Sequence, residues 1–166
     1  MLQRLSDMLK RRDEGFTLIE LMVVVLIIGI LIAIAIPTFL GARQRAQDRA
    51  AQSSLRNALT NAKAIYTDHE DYANANAAAL ASAEPSLTFK DGGNSTGPTN
   101  ISDAPGTSPS TAWLGAALSK SGKCFYIKDQ TNGPGTTFAS VAAPSPAGTC
   151  DASSPPAAGS FTNAGW

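Results

Sequence analysis

Charge of either sign is scarce in this 166-residue chain, and neither sign prevails. Charged residues make up 16% of it, with Lys+Arg and Asp+Glu equal at 13 each. Such a balance sets up no field for drawing in nucleic acid, and scattered lysines in the C-terminal part make no nucleic-acid site. There is one histidine, His69, which excludes a relay between histidines. It stands in the run Asp68-His69-Glu70-Asp71, and without a second ligand cluster that run reads as a solvated helix end, not a metal site. Aromatics reach only 7%. Leu, Val and Phe thin out after Tyr72, where Gly, Pro, Ser, Thr, Ala and Asn take over, so the C-terminal half reads as loop-rich with a thin core. No H-E-x-x-H and no Gly-rich phosphate loop is present. The expectation is a protein that is not an enzyme and carries no cofactor. Of the two cysteines, Cys124 and Cys150, the composition leaves two fates open: a pair in an exported domain, or two small buried residues in a reducing compartment.

Against this spare background stands one long apolar run. From Phe16 to Leu40 only Thr17, Glu20 and Thr38 are polar, and Leu21 to Ile36 is relieved only by the small Gly29. As a helix this stretch reaches roughly 37 Å, enough to cross a bilayer core of about 30 Å. Glu20 is the exception inside it. A carboxylate in a membrane segment costs about 2.5–3.5 kcal/mol or more, which marks it as a functional candidate. Lys10-Arg11-Arg12 precedes the run and holds that end in the cytoplasm by the positive-inside rule. An ordinary secretory signal begins the same way, and Ala33-Ile34-Ala35 offers a small-x-small triplet for its peptidase. Against that reading stand an apolar stretch longer than the usual h-region, the interruption at Glu20, and a helical pattern that continues past the triplet.

Gly15-Phe16-Thr17-Leu18-Ile19-Glu20-Leu21, with a charged leader before it and an apolar run after it, resembles a type IV prepilin. The resemblance covers Met1 to about Tyr72. It implies cleavage between Gly15 and Phe16 by a prepilin peptidase, which also methylates the new N-terminus at Phe16. Glu20 takes the position of the family's assembly glutamate. Gly29 and Pro37 match positions where family members loosen the helix. Proline removes the N–H that would reach residue 33, so a weak span is expected there. One helical turn separates Phe16 from Glu20, so the carboxylate can pair with the new amine of its own chain or with that of the next subunit. The cost of an unpaired buried charge favours the second. The resemblance also implies a structural disulfide between Cys124 and Cys150, in line with export.

Downstream, Ala51, Leu55, Ala58, Leu59, Ala62, Ile65 and Tyr66 follow 3–4 spacing, and no Gly or Pro falls between Arg43 and Glu84. The spacing predicts one helix running from the apolar segment to near His69, its stripe buried against a sheet. The arginines Arg43, Arg45, Arg49 and Arg56 lie mostly on other faces, to be solvated or to meet neighbouring subunits or lipid headgroups. Asn74 to Ala83 predicts a short second helix ended by Pro85. Asp91 to Pro109 reads as a long surface connection. Strands are expected at Thr111–Leu118, Lys123–Lys128 and Thr136–Val141, the last two joined by a turn at Asn132-Gly133-Pro134-Gly135. Trp113, Phe125, Ile127 and Phe138 are the core candidates, although the alternation is poor.

The reading is thus an α+β pilin fold: a leader at 1–15, a hydrophobic helix at 16–40, its amphipathic continuation at 41–72, and a loop-rich domain with a small antiparallel sheet at 73–166. The resemblance implies a subunit that passes from the bacterial membrane into a surface filament. It implies as partners other copies of the chain, the prepilin peptidase, the membrane, and an inner-membrane assembly platform with an ATP-driven motor. Adhesion, motility and DNA uptake are alternative uses of one such fibre. Two other readings remain: a type II secretion pseudopilin, similar over the same N-terminal stretch, and a membrane-anchored binding module that never polymerises. Loss of the leader takes four basic and three acidic side chains from an even total, leaving a nearly neutral subunit that can pack in many copies.

Overall fold

The computed structural model describes residues 15–106, 110–142 and 150–166. The charged leader before Gly15, the end of the expected surface connection at 107–109, and the tail segment 143–149 lie outside the described residues. One helix, α1 (Leu18–His69), dominates the sequence order. Its end is set at Glu70, whose φ of 54° turns the chain out of the helix while its N–H still donates to the carbonyl of Tyr66. Such a left-handed residue just past the last turn is a common helix stop. The chain divides into two compact units between Ala42 and Arg43. In the first, the large apolar side chains from Phe16 to Leu40 are all exposed. In the second, the stripe Ala51, Leu55, Ala58, Leu59 and Ala62 is buried, as the 3–4 spacing predicts.

A short 3₁₀ turn (Tyr72–Asn74) leads to α2 (Ala77–Ala83), capped by the Asn76 side chain, which accepts from the Ala79 N–H. Five strands follow: β1 (Thr88–Asp91), β2 (Asn100–Ala104), β3 (Ala112–Leu118), β4 (Cys124–Gln130) and β5 (Thr137–Val141). They lie side by side in chain order. β2 to β5 pair antiparallel, whereas β1 runs parallel to β2, with Asp91 opposite Asp103. The small antiparallel sheet expected from the sequence is there, with that one parallel edge pair added, and one expectation is corrected. The stretch expected as a surface connection contains β2, whose Ile101, Ser102 and Asp103 are fully buried.

The poor alternation has a physical cause: both faces of the sheet are covered. Trp113, Ala117, Phe125, Ile127 and Ile101 pack with the α1 stripe and with Tyr72 and Leu80 on one side. Leu114, Ala116, Tyr126 and Ala139 pack on the other side with Cys150 and Ala152 of the tail, and Phe161 closes that layer. Strands buried on both faces read as mixed runs, not as clean period-two patterns. The Cys124–Cys150 disulfide lies within the tail-side layer and joins residues 26 positions apart. By loop-closure entropy it contributes about 3 kcal/mol. Trp166 closes the helix side: its indole N–H donates to the Ala139 carbonyl at 2.8 Å, its ring meets Phe138 edge-on, and Arg56 lies over it.

Two buried carboxylates fix α1 to the sheet. Asp48 accepts hydrogen bonds from Ser119 (2.7 Å) and Ser121 in the β3–β4 turn and pairs with Lys123. Burial alone would raise its pKa; the two hydroxyls and the ammonium outweigh burial and hold it below the ordinary aspartate value. Asp129 on β4 takes Tyr72 Oη at 2.6 Å, Thr136 and Lys63 of α1 at 2.9 Å. Here too burial is overcome and the carboxyl is lowered. Asp103 is the opposite case. Neither of its oxygens has a hydrogen-bond partner among the described residues. Burial first, and the neighbouring Asp91 second, push it up to about 8.

Both edges of the sheet are blunted against further pairing. β1 is four residues long, with Thr88, Lys90 and Asp91 exposed. β5 is covered by the tail, where Phe138 and Thr162 exchange backbone hydrogen bonds at 2.8 and 2.9 Å.

Gly115 supports the Trp113 ring directly: a Cβ there would sit 2.6 Å from the indole. Gly115→Ala is expected to displace that ring and cost about 1–3 kcal/mol, read as a lower urea midpoint of the detergent-solubilised chain. Asp103 yields a pH test. Its folded pKa is raised, so its contribution is fully present below about 4 and is lost as pH climbs towards about 8. Relative to wild type, Asp103→Asn should gain stability between pH 5 and pH 8, by at most about 1.4 kcal/mol per pH unit.

Candidate functional site

The candidate site is the start of α1. Gly15, Phe16 and Thr17 precede the helix and are not helical. Gly15 has no atom near the position a Cβ would take, and Phe16 is 84% exposed. The Gly15–Phe16 peptide bond therefore lies in open, non-helical chain, the form a protease cleft accepts. Helix begins directly after it because Thr17 caps it. The Thr17 hydroxyl accepts from the Glu20 N–H at 3.2 Å, and Glu20 Oε2 accepts in return from the Thr17 N–H (3.0 Å) and hydroxyl (2.7 Å). This is a reciprocal capping box. Its T-x-x-E signature stands in Thr17-Leu18-Ile19-Glu20, a local signal that the sequence alone carries. Both bonds fall on Oε2; Oε1 accepts none among the described residues. One oxygen holds the chain's own helix start, and the other stays open to a cation.

Beyond the cap, the side chains from Leu18 to Leu40 lie about half exposed or more. Among the described residues α1 is the one helix long and apolar enough to cross a membrane. Gly29 and Pro37 lie within its helical span, so the expected weak span is not a break in the single chain. Thr38 donates to the carbonyls of Ala35 (2.9 Å) and Ile34 beside the proline. These bonds go to carbonyls next to the one at Ala33 that the proline leaves without its donor, and back-bonding of this kind bends a helix slightly. Gly15 and Phe16 thus stand just ahead of the turn that Glu20 closes, while Cys124 and Cys150 belong to the sheet unit.

The segment 10–36 matches the family model described as the prokaryotic N-terminal methylation motif. Gly15, Phe16, Glu20 and Gly29 all fall inside the match. The start of α1 carries that motif. The chain is 44% identical over 61 residues to the type IV major pilin protein PilA of Myxococcus xanthus, covering 37% of this chain and 28% of that protein. With the type IV wide pilus major component PilA4 of Thermus thermophilus it shares 35% over 83 residues, 48% of this chain and 63% of the relative. With the type II secretion system core protein G of Aeromonas hydrophila it shares 42% over 59 residues, 36% and 41%. The chain spans less than two thirds of the length of each of these relatives. No solved structure matches it.

One further run has the form of a catalytic motif. Gly93-Asn94-Ser95-Thr96-Gly97 has the spacing G-x-S-x-G of a nucleophile elbow. Ser95 is instead a buried fastener. Its hydroxyl donates to the Asn100 carbonyl and accepts from the Leu118 N–H at 2.9 Å, and its own N–H donates to Cys150 O at 2.8 Å. No histidine stands beside it, since His69 is exposed at the end of α1.

Thr17→Ala removes the cap and leaves the Glu20 carboxylate in place. It is expected to cost about 1 kcal/mol at the helix start, seen as about fivefold faster amide hydrogen exchange in the first turn of α1.

Proposed function

We propose that the chain is a structural subunit of a type IV pilus. The observation that carries this reading is an apolar helix, exposed along its whole first unit, opening on a capped Thr17–Glu20 turn inside a methylation motif. The leader is cut between Gly15 and Phe16, and Phe16 becomes the methylated N-terminus. Single methylation keeps the amine positive. Glu20 Oε1 then takes the Phe16 amine of a neighbouring subunit while Oε2 keeps the cap, so one side chain sets both helix start and subunit register. The bilayer holds the subunit until an assembly platform and its ATP-driven motor raise it into the fibre. In the fibre the helices cover one another, and Gly29 and Pro37 give the helix room to stretch. The filament serves adhesion, motility or DNA uptake at the cell surface.

A second reading, a type II secretion pseudopilin, is supported by the 42% likeness to the core protein G of Aeromonas hydrophila. It differs in where the polymer ends: a pilus leaves the cell, and a pseudopilus does not.

The test is the intact mass of protein in filaments sheared from cells. The expected species starts at methylated Phe16 and is two hydrogens lighter than its reduced form. A soluble monomer starting at Ile36 would mean ordinary secretion and sink the proposal. Glu20→Ala should abolish incorporation, whereas Thr17→Ala should leave filaments present. Equal filament yield from Glu20→Ala would overturn the register role of Glu20, and a processed chain found in no filament at all would leave only a simple anchor.

A further inference from the structure

Unpaired positive charge converges at one more place. Arg43, Ala46, Gln47 and Ala50 on α1, Pro98 between β1 and β2, and Lys120 in the β3–β4 turn line a cleft of about 380 Å³. Its two cations come from different elements. Neither makes an ion pair among the described residues, where the two pairs are Lys63–Asp129 and Lys123–Asp48. Asp48, the carboxylate on the same stretch of α1, is already occupied by Ser119, Ser121 and Lys123. The cleft is therefore positive, with no acid of its own to neutralise it. Arg45 and Arg49, both exposed, add to the field along the same stretch of α1.

Position in the chain says what anion it meets. The apolar run ends at Leu40, and Arg43 follows three residues later, less than one helical turn. With the run in hydrocarbon, a long cationic side chain at that spacing reaches the headgroup layer.

We propose that this cleft takes the phosphate of an anionic lipid headgroup while the chain is in the bilayer. The proposal rests on reading α1 as the membrane segment. The Arg43 guanidinium presents two parallel N–H donors to phosphate oxygens. Lys120 adds a point charge from the opposite wall. The Gln47 amide suits a headgroup hydroxyl, and Ala46, Ala50 and Pro98 offer apolar wall to glycerol methylenes. A headgroup ending in a quaternary ammonium brings a second positive charge beside two cations, so phosphatidylglycerol is preferred over phosphatidylcholine.

The experiment uses the full chain in detergent micelles, titrated with phosphatidylglycerol or phosphatidylcholine and read by native mass spectrometry. About tenfold more phosphatidylglycerol than phosphatidylcholine should be retained. The Arg43→Gln/Lys120→Gln double variant should lose that preference, and Lys90→Gln, exposed on β1 outside the cleft, should keep it. Both cleft substitutions are at surface positions, and the intact disulfide mass and far-UV spectrum check the fold. Equal retention of the two lipids, or a double variant that keeps the preference, overturns the proposal. So does displacement of the lipid by inorganic phosphate at equal concentration, which would make the site one for free anion. Photo-crosslinking from position 47 to a second copy in place of lipid overturns it as well. A chain that carbonate washes off membranes removes the ground of both this proposal and the pilus reading. A membrane-embedded, filament-forming chain without lipid preference sinks this proposal alone.

Discussion

Apolar side chains from Leu18 to Leu40 remain exposed in the single chain, and each Å² of that surface left in water costs about 25 cal/mol. No other part of the chain supplies a cover among the described residues. On the proposed function the cover is a bilayer first and other helices of the same kind afterwards. An oily surface of this sort has no directional preference of its own. Direction has to come from polar groups at its ends, and there the chain is sparing: Thr17 and Glu20 at one end, Arg43 and its neighbours at the other.

The sheet unit meets a different difficulty. It has few large side chains and compensates by covering both faces of one sheet, with α1 on one side and the tail on the other. Small residues such as Ala51, Ala58, Ala62, Ala116 and Ala117 let the layers approach closely. Charge then does what bulk does elsewhere. Asp48 and Asp129 each gather hydroxyls and one lysine and bind the helix to distant strands. Breaking such a partner set strands a buried charge, which makes these contacts specific as well as stabilising.

What was legible in the sequence follows from the same physics. The 3–4 stripe of α1, its end near His69 and the hairpin β4–β5 were all readable, since helix periodicity and turn residues are local signals. The strand Asn100-Ile101-Ser102-Asp103-Ala104 was not: one apolar side chain among polar and small ones carries no strand signature, and its burial comes from neighbours distant in sequence. The parallel pairing of β1 was equally hidden, as it depends on a loop of residues 92–99 held by Ser95. The fate of Cys124 and Cys150 could not follow from spacing alone and waited on the compartment. At the N-terminus the same four residues, Thr17 to Glu20, serve two ends, a helix cap and a membrane charge, and the apolar run around them makes the second the louder signal.

The blunted edges of the sheet bear on what happens when many copies stand close together. β1 is short and carries exposed Lys90 and Asp91, and β5 already has Thr162 as its partner. A free strand edge is the usual template for runaway β-pairing between chains. Short length and charge at one edge and the tail bridge at the other make that template a poor one, so crowding alone gives these copies little reason to pair strand to strand.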